Sequence, residues 1–140
     1  MTTIGTLIEI PITGTSTGAA TTNIAVFDFA TAGVGSTNLD NSVVSLRANF
    51  IVANSAFTAA LLGRRDAVVK RISGSITIAS QTPTFGAGPV TIYSGDSPVQ
   101  SNIPQLDYIV VGTQIILRVV TSGSAGTFLY GGRMIGLSDK

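Results

Sequence analysis

The feature of this sequence that most constrains its fold is a series of short segments in which apolar and polar residues alternate. The clearest is residues 42–53, where one side carries Val44, Leu46, Ala48, Phe50 and Val52 and the other carries Ser45, Arg47 and Asn49. Successive side chains of a β-strand point to opposite faces. This pattern therefore predicts a strand with one face in a core and the other toward solvent or a polar partner.

Clusters of Gly, Pro, Ser, Thr, Asn and Asp separate such segments along the whole chain, and no segment sustains a helical period. Short strands at regular intervals with turn residues between them are typical of an all-β sandwich or barrel. We predict strands at residues 6–12, 23–29, 42–53, 56–62, 66–72, 75–79, 90–93, 106–111, 114–121 and 127–137. The fold class is therefore expected to be an all-β, antiparallel β-sandwich.

The N-terminal region has a composition of its own. Residues 13–22 are almost wholly Gly, Ser, Thr and Ala, which is typical of a mobile linker. We therefore divide the chain into an N-terminal strand or extended arm with a flexible linker, residues 1–22, and a single β-sandwich domain, residues 23–140. The arm carries Ile4, Leu7, Ile8 and Ile10. It could pair with the sheet edge of a neighbouring molecule or with its own sheet, and both remain open.

The composition excludes many kinds of active site. The chain has no His and no Cys, which rules out a Ser-His-Asp triad, thiol chemistry and a zinc finger. The seven carboxylates are scattered along the chain without an acid/base pattern, and the glycines form no phosphate-binding loop. We expect a protein that is not an enzyme, with no catalytic residue, metal or cofactor. A hydrolase would need two of the carboxylates to converge within ~10 Å.

Charge is scarce. Only 11% of the residues are charged and the net charge is +1, whereas soluble domains average about 25%. We therefore expect much of the surface to be covered by copies of the chain or by a larger assembly. The N-terminus has no signal-peptide pattern, and the uncharged stretch 72–95 is too rich in polar residues for a membrane span. A cytoplasmic site of synthesis and no membrane association are expected.

Half of the basic charge lies in one short segment, which contains Arg64, Arg65, Lys70 and Arg71. Alternation puts Arg65 and Arg71 on one face of a strand and Arg64 and Lys70 on the other. This cluster could contact an acidic protein surface, phosphate or an anionic sugar. It could equally guard an edge strand or form ion pairs across a subunit boundary. Nucleic acid is not expected as a partner, because the net charge is low and no aromatics interleave with the basic residues.

The segment 114–121 is apolar on both of its faces. Ile115, Leu117 and Val119 form one side, while Ile116 and Val120 join Gln114 and Arg118 on the other. Such a strand is covered twice, either by a second subunit or by a loop of its own chain. Further along, Gly131 and Gly132 inside a strand pattern predict a bulge or a close backbone approach.

Two stretches resemble known families. The sequences VGTQIILRV (111–119) and TFLYGGRMIGL (127–137) resemble the closing hairpin of tumour-necrosis-factor-like and complement-globular-head-like jelly rolls, with one extra residue between Phe128 and Gly131. Residues 43–52, Phe57, GRRDAVVKR (63–71) and SGSITI (73–78) resemble a pattern of tailed-phage structural proteins. There a strand leads through an aromatic residue to an arginine-rich strand, a glycine turn and another apolar strand.

The resemblance implies a trimeric virion component with a jelly-roll-like fold, assembled in the cytoplasm of the host. Residues on the outward strand face would meet at the three-fold axis, and the candidates are Ile116, Val120, Phe128 and Tyr130, with ordinary core as the alternative for Phe128. The implied function is a capsid decoration (cement) protein. Its partners would be itself and the major capsid protein or another virion protein, contacted through the N-terminal arm and the basic cluster.

A tail or fibre module that recognises a host surface glycan or protein is the alternative. Sugar sites need flat apolar platforms, and the aromatic residues in or near predicted loops are Phe85, Tyr93 and Tyr108.

Overall fold

A computed structural model describes residues 6–29, 41–82, 91–96, 99 and 101–139. Within these ranges the chain forms nine β-strands: β1 Thr6–Thr17, β2 Ala20–Asp28, β3 Ser42–Asn54, β4 Ala60–Ile72, β5 Ser75–Thr82, β6 Thr91–Gly95, β7 Gln105–Val111, β8 Gln114–Thr121 and β9 Thr127–Ser138. The prediction of an all-β protein is confirmed.

The strands form two antiparallel sheets. The large sheet has the order β1-β9-β3-β4-β5, with β6 also pairing to β4, and the small sheet has the order β2-β8-β7. The inner faces of the two sheets enclose one core, to which β3 contributes Phe50, β2 contributes Phe27, and β7 and β8 contribute Leu106 and Leu117. The predicted β-sandwich is therefore confirmed.

Strand β3 shows the predicted alternation along most of its length. From Ser42 to Val52 every second residue is buried and the residues between them are exposed. The apolar side faces the core because this face of a central strand is covered by the opposite sheet. The other side forms part of the outer face of the large sheet.

The N-terminal segment is part of the sandwich rather than an arm on a linker. Strand β1 pairs with β9 over all twelve of its residues, from Thr6 opposite Ser138 to Thr17 opposite Thr127. Gly18, with φ of 62°, then turns the chain directly into β2. The Gly/Ser/Thr-rich composition suggested mobility, but threonine is β-branched and favours strands, and Ser16 is buried with its hydroxyl hydrogen-bonded.

The segments predicted as two strands, 56–62 and 66–72, form one. Strand β4 runs unbroken from Ala60 to Ile72, and Gly63 and Arg64 continue its alternation instead of interrupting it. Residues 55–59 belong to the turn that joins β3 to β4. Strand β4 is also internal, since it pairs with β3 on one side and with β5 and β6 on the other.

Candidate functional site

The four basic residues of the predicted cluster do not form one patch. As alternation predicted, Arg65 lies on the inner side of β4, while Arg64 and Lys70 lie on the outer side, where Lys70 is exposed. Because β4 is internal, these charges do not guard a sheet edge. The guanidinium of Arg71 lies 5.6 Å from the centroid of the Phe29 ring, within cation–π distance.

Arg64 is paired within its own subunit. Its Nη2 lies 2.9 Å from Oδ2 of Asp66. Arg47, which lies on β3 directly opposite Asp66, places its Nε 3.4 Å from Oδ1 of the same carboxylate. Ion pairs near the surface contribute little to stability. The arrangement nevertheless shows that much of the outer charge of β3 and β4 is balanced inside one chain.

Arg65 is buried and structural. Its Nε and Nη2 donate to Oε1 of Gln81 at 3.2 and 2.9 Å, and its backbone oxygen accepts a hydrogen bond from the Tyr108 hydroxyl at 2.8 Å. Burial lowers the pKa of the Arg65 guanidinium below its ordinary value, and the nearby carboxylate of Asp107 opposes that shift. Arg65 is therefore not available to a partner, contrary to the prediction from sequence.

The apolar residues predicted for the N-terminal arm divide between the two faces of β1. Ile8 and Ile10 point inward and pack against the core, whereas Leu7 lies exposed on the outer face of the large sheet. Ile4 lies outside the described residues. Since β1 is the edge strand of its sheet, the segment is held by β9 along one side.

The outer face of the small sheet carries an apolar row, which comprises Val26, Ile116 and Ile109. The register places Val26 of β2 and Ile109 of β7 on either side of Ile116 of β8. Ile116 is 5% exposed although it does not belong to the core between the sheets. Val120 lies on the same face. The loose ion pair between Arg118 and Asp107, with Nη2 4.0 Å from Oδ1, separates it from the row.

Phe128 and Tyr130 lie on the inner side of β9, not on an outward strand face. Phe128 is 2% exposed, and both residues belong to the core between the sheets. The Tyr130 hydroxyl lies 2.7 Å from Oγ of Ser16, and burial raises the pKa of Tyr130. For Phe128 the structure agrees with the core alternative, and neither ring can reach a second subunit.

The outer face of the large sheet is partly apolar. Its exposed large apolar side chains are Leu7, Val43, Ile51, Leu62, Ile72 and Leu137. Around Gly132 the face holds an open depression of about 500 Å³, which we call the Gly132 depression; it is lined by Asn49, Phe50, Ile51, Leu62, Gly132, Arg133 and Ile135. Gly132 has φ of 144° and approaches the backbone of β3 so closely that a Cβ would lie 2.2 Å from the Asn49 oxygen. The predicted close backbone approach is confirmed there.

The turn between β3 and β4 displays an aromatic ring. Phe57 is 75% exposed and has φ of 57°, in the left-handed region that bulky residues rarely adopt. Such a conformation costs on the order of 1–3 kcal/mol and persists only where the surroundings impose it. The sequence pattern of residues 56–62 predicted a strand there, so the exposed turn position of Phe57 was not predicted. Asn54, whose side chain favours turns, was the available signal.

Of the aromatic residues considered for a sugar platform, Tyr108 is buried in the core. Phe85 lies outside the described residues, and the side chain of Tyr93 is likewise not described. Phe57 is therefore the exposed aromatic side chain within the described ranges.

Within residues 6–29, 41–82, 91–96, 99 and 101–139, His, Cys, Asp and Glu form no group of three that could hold a metal ion. Nor do these residues include a helix with the length and apolar character needed to cross a membrane.

Comparisons with known proteins give distant structural likenesses. No family model and no curated protein matches the chain. Among solved structures, the tailspike protein of Acinetobacter baumannii phage AM24 is similar at a TM-score of 0.48 and 12% identity, over 97% of this chain and 26% of the tailspike. The tailspike gp49 of Acinetobacter baumannii bacteriophage Fri1, described as a capsular polysaccharide depolymerase, is similar at a TM-score of 0.41 and 10% identity. The match covers 96% of this chain and 17% of gp49.

The tailspike protein of Acinetobacter phage vB_ApiP_P1 gives a TM-score of 0.35 and 12% identity, over 94% of this chain and 21% of that protein. The chain thus spans about a quarter or less of each tailspike. Scores of this size do not establish a common fold, and they assign no function to this chain.

Proposed function

We propose that this chain is a non-catalytic binding module of a phage virion and that it works as a homo-oligomer. The sequence resemblance implies that this oligomer is a trimer. We place it in the tail attachment apparatus, where it would recognise a glycan or protein on the host surface. The virion assignment is supported by the resemblance of residues 43–78 to tailed-phage structural proteins. The oligomeric assignment is supported by the surface of the sandwich.

The observation that carries the proposal is the apolar row on the outer face of the small sheet. Val26, Ile116 and Ile109 lie side by side across three strands and point away from the core. Ile116 is already buried, so association would remove from water the exposed parts of Val26, which is 38% exposed, and of the half-buried Ile109. The gain is roughly 25 cal/mol for each Å² of apolar surface buried. A chain with 11% charged residues has little charge with which to oppose such association.

The structure of β1 is the reason for favouring the tail over capsid decoration. The decoration mechanism required an N-terminal arm free to add to a neighbour's sheet. Strand β1 is instead paired with β9 along its whole length, and Pro11 near its middle lacks the N–H that a further ladder would use.

Self-association is tested by analytical ultracentrifugation of the wild type and of Val26→Lys, which puts a charge into the apolar row at its partly exposed end. We expect a trimer for the wild type and a shift toward monomer for V26K at an unchanged circular-dichroism spectrum. The matched control is Ser124→Lys in the exposed β8–β9 turn, which should keep the wild-type mass. A V26K protein with the wild-type mass would show that this face is not an interface.

The virion assignment is tested by gold labelling of intact particles with an antibody against the chain, together with binding of the purified protein to host cells. We expect label on the tails and saturable binding to cells. Label spread over the capsid would replace this proposal with the decoration role. Particles without label would overturn the virion assignment.

A further inference from the structure

The turn between β3 and β4 holds Phe57 by a dense set of hydrogen bonds centred on Asn54. Oδ1 of Asn54 accepts from the backbone N–H groups of Thr58 and Ala59 at 2.9 and 3.1 Å, and its Nδ2 donates to the Thr58 hydroxyl at 2.8 Å. The backbone N–H of Phe57 donates to the backbone oxygen of Asn54 at 3.0 Å. The left-handed conformation of Phe57 is therefore imposed by the turn.

The ring of Phe57 does little for the chain that carries it. It is 75% exposed and does not belong to the core or to the residues packed against it. Asparagine or glycine would occupy this left-handed position with less strain. A strained, exposed phenyl ring on a fixed turn has the character of a side chain presented to another molecule.

The same chain carries an unfilled site of suitable chemistry. The walls of the Gly132 depression include Ile51 and Leu62, which are 53% and 43% exposed. Its volume of about 500 Å³ accommodates a phenyl ring. Arg133 also lines it, and a guanidinium beside an aromatic face adds a cation–π attraction.

We propose that Phe57 of one copy inserts into the Gly132 depression of a second copy of this chain. Charge complementarity supports this choice of partner. Asp96 lies next to the turn, where its Oδ2 accepts from the Ala60 N–H at 2.8 Å, and its side chain is exposed. At the depression Arg133 is paired with Glu9, with Nη1 3.6 Å from Oε1. Arg47 and Arg64 on the same face share the single carboxylate of Asp66, so docking the ring brings Asp96 of one copy toward a face that carries an excess of positive charge.

The contact is heterologous, because the turn at one end of the sandwich meets a different surface on the next copy. Such contacts generate closed rings or open chains rather than two-fold dimers. The inference rests on the proposed self-association but uses a surface separate from the apolar row of the small sheet. The two can therefore fail independently.

Cysteine cross-linking tests the contact directly, because the chain contains no cysteine. An Ala56→Cys chain, which places the thiol in the exposed turn beside Phe57 and keeps the ring, is mixed under mild oxidation with a differently tagged Ile51→Cys chain, and disulfide-linked heterodimers are counted on a non-reducing gel. We expect the Ala56→Cys and Ile51→Cys pair to exceed the background given by Ala56→Cys mixed with Ile72→Cys, an exposed position at the opposite end of β4. A yield equal to that background would overturn the proposal.

Sedimentation of Phe57→Asn provides a second measurement. Asparagine tolerates the left-handed conformation, so the turn should survive, while removal of the ring should weaken self-association by about tenfold or more in apparent Kd. Ile72→Asn is the control for loss of an exposed apolar side chain and should leave Kd unchanged. If F57N associates like the wild type while V26K does not, the Phe57 contact is wrong and the proposed oligomer stands.

Discussion

The side chain of Gln81 hydrogen-bonds both backbone groups of Tyr108. Nε2 of Gln81 donates to the Tyr108 oxygen at 2.9 Å, and the Tyr108 N–H donates to Oε1 of Gln81 at 3.0 Å. An amide side chain on β5 of the large sheet thus extends the hydrogen-bonding ladder of β7, the edge strand of the small sheet. Arg65 also donates to Oε1 of Gln81. The Gln81 amide therefore connects the two sheets and the buried guanidinium of Arg65.

Replacing Gln81 with leucine should destabilise the protein by roughly 2–4 kcal/mol, because it leaves a buried N–H and a buried carbonyl without these partners. The measurement is urea unfolding followed by circular dichroism. Ser80→Leu, on the neighbouring exposed position of β5, should change stability by less than about 0.5 kcal/mol. A loss for Q81L no larger than that of S80L would mean that the bridge does not hold the sheets together.

The adjacent glycines of β9 should respond differently to alanine. At Gly132 a Cβ would lie 2.2 Å from the Asn49 oxygen and 2.8 Å from Cα of Phe50, and φ is 144°. At Gly131 a Cβ would meet nothing within 4 Å. We expect Gly132→Ala to cost on the order of 3 kcal/mol and Gly131→Ala to be nearly neutral. Equal melting temperatures for the two variants would show that β3 and β9 do not approach so closely.

The buried hydroxyl pair of Ser16 and Tyr130 should show energetic coupling. Each of Ser16→Ala and Tyr130→Phe leaves the other hydroxyl buried without this partner, so each should cost about 1–2 kcal/mol. The double variant should cost less than their sum, with a coupling energy of about 1 kcal/mol in a double-mutant cycle. The exposed pair Thr17 and Thr127, with hydroxyls 3.2 Å apart on the same two strands, is the control and should show almost none.

The sequence predicted correctly those strands in which buried and exposed side chains alternate regularly. In β3 every second residue meets the core, so the pattern of the residues is also the pattern of burial. Composition misled the prediction at β1, where Gly, Ser and Thr suggested a linker although the segment pairs with β9, more than a hundred residues away. It also divided β4 at Gly63, whose backbone continues the ladder with β3.

The candidate surfaces, like the strands, were predicted only in part. Alternation alone placed Ile116 and Val120 on the face of β8 opposite Ile115, where the structure has them. The burial of Arg65 could not be predicted, since it depends on Gln81 and Tyr108, which the fold brings from two other strands. The exposure of Phe57 depends on a backbone conformation that Asn54 imposes through its side chain.

Alkaline pH should destabilise the protein through its buried tyrosines. Burial raises the pKa of Tyr108 and of Tyr130 above the ordinary value, although the hydrogen bond between Tyr130 and Ser16 partly opposes the shift at Tyr130. The unfolded chain therefore releases these protons near pH 10 while the folded chain retains them. Above that pH the unfolded state binds fewer protons, and the free energy of unfolding falls by up to about 1.4 kcal/mol per pH unit for each tyrosine.

Urea unfolding of the wild type and of Tyr130→Phe between pH 8 and pH 11.5 measures this effect. Below about pH 9 the two stabilities should differ by a constant amount, because neither state has lost a tyrosine proton there. Above about pH 10 the wild type should lose stability more steeply than Y130F, since one of the two buried hydroxyls is missing from the variant. The two proteins share all of their other residues, so the difference between their curves reports the Tyr130 hydroxyl. Parallel curves across the whole range would show that the Tyr130 proton is released as easily in the folded chain as in the unfolded one.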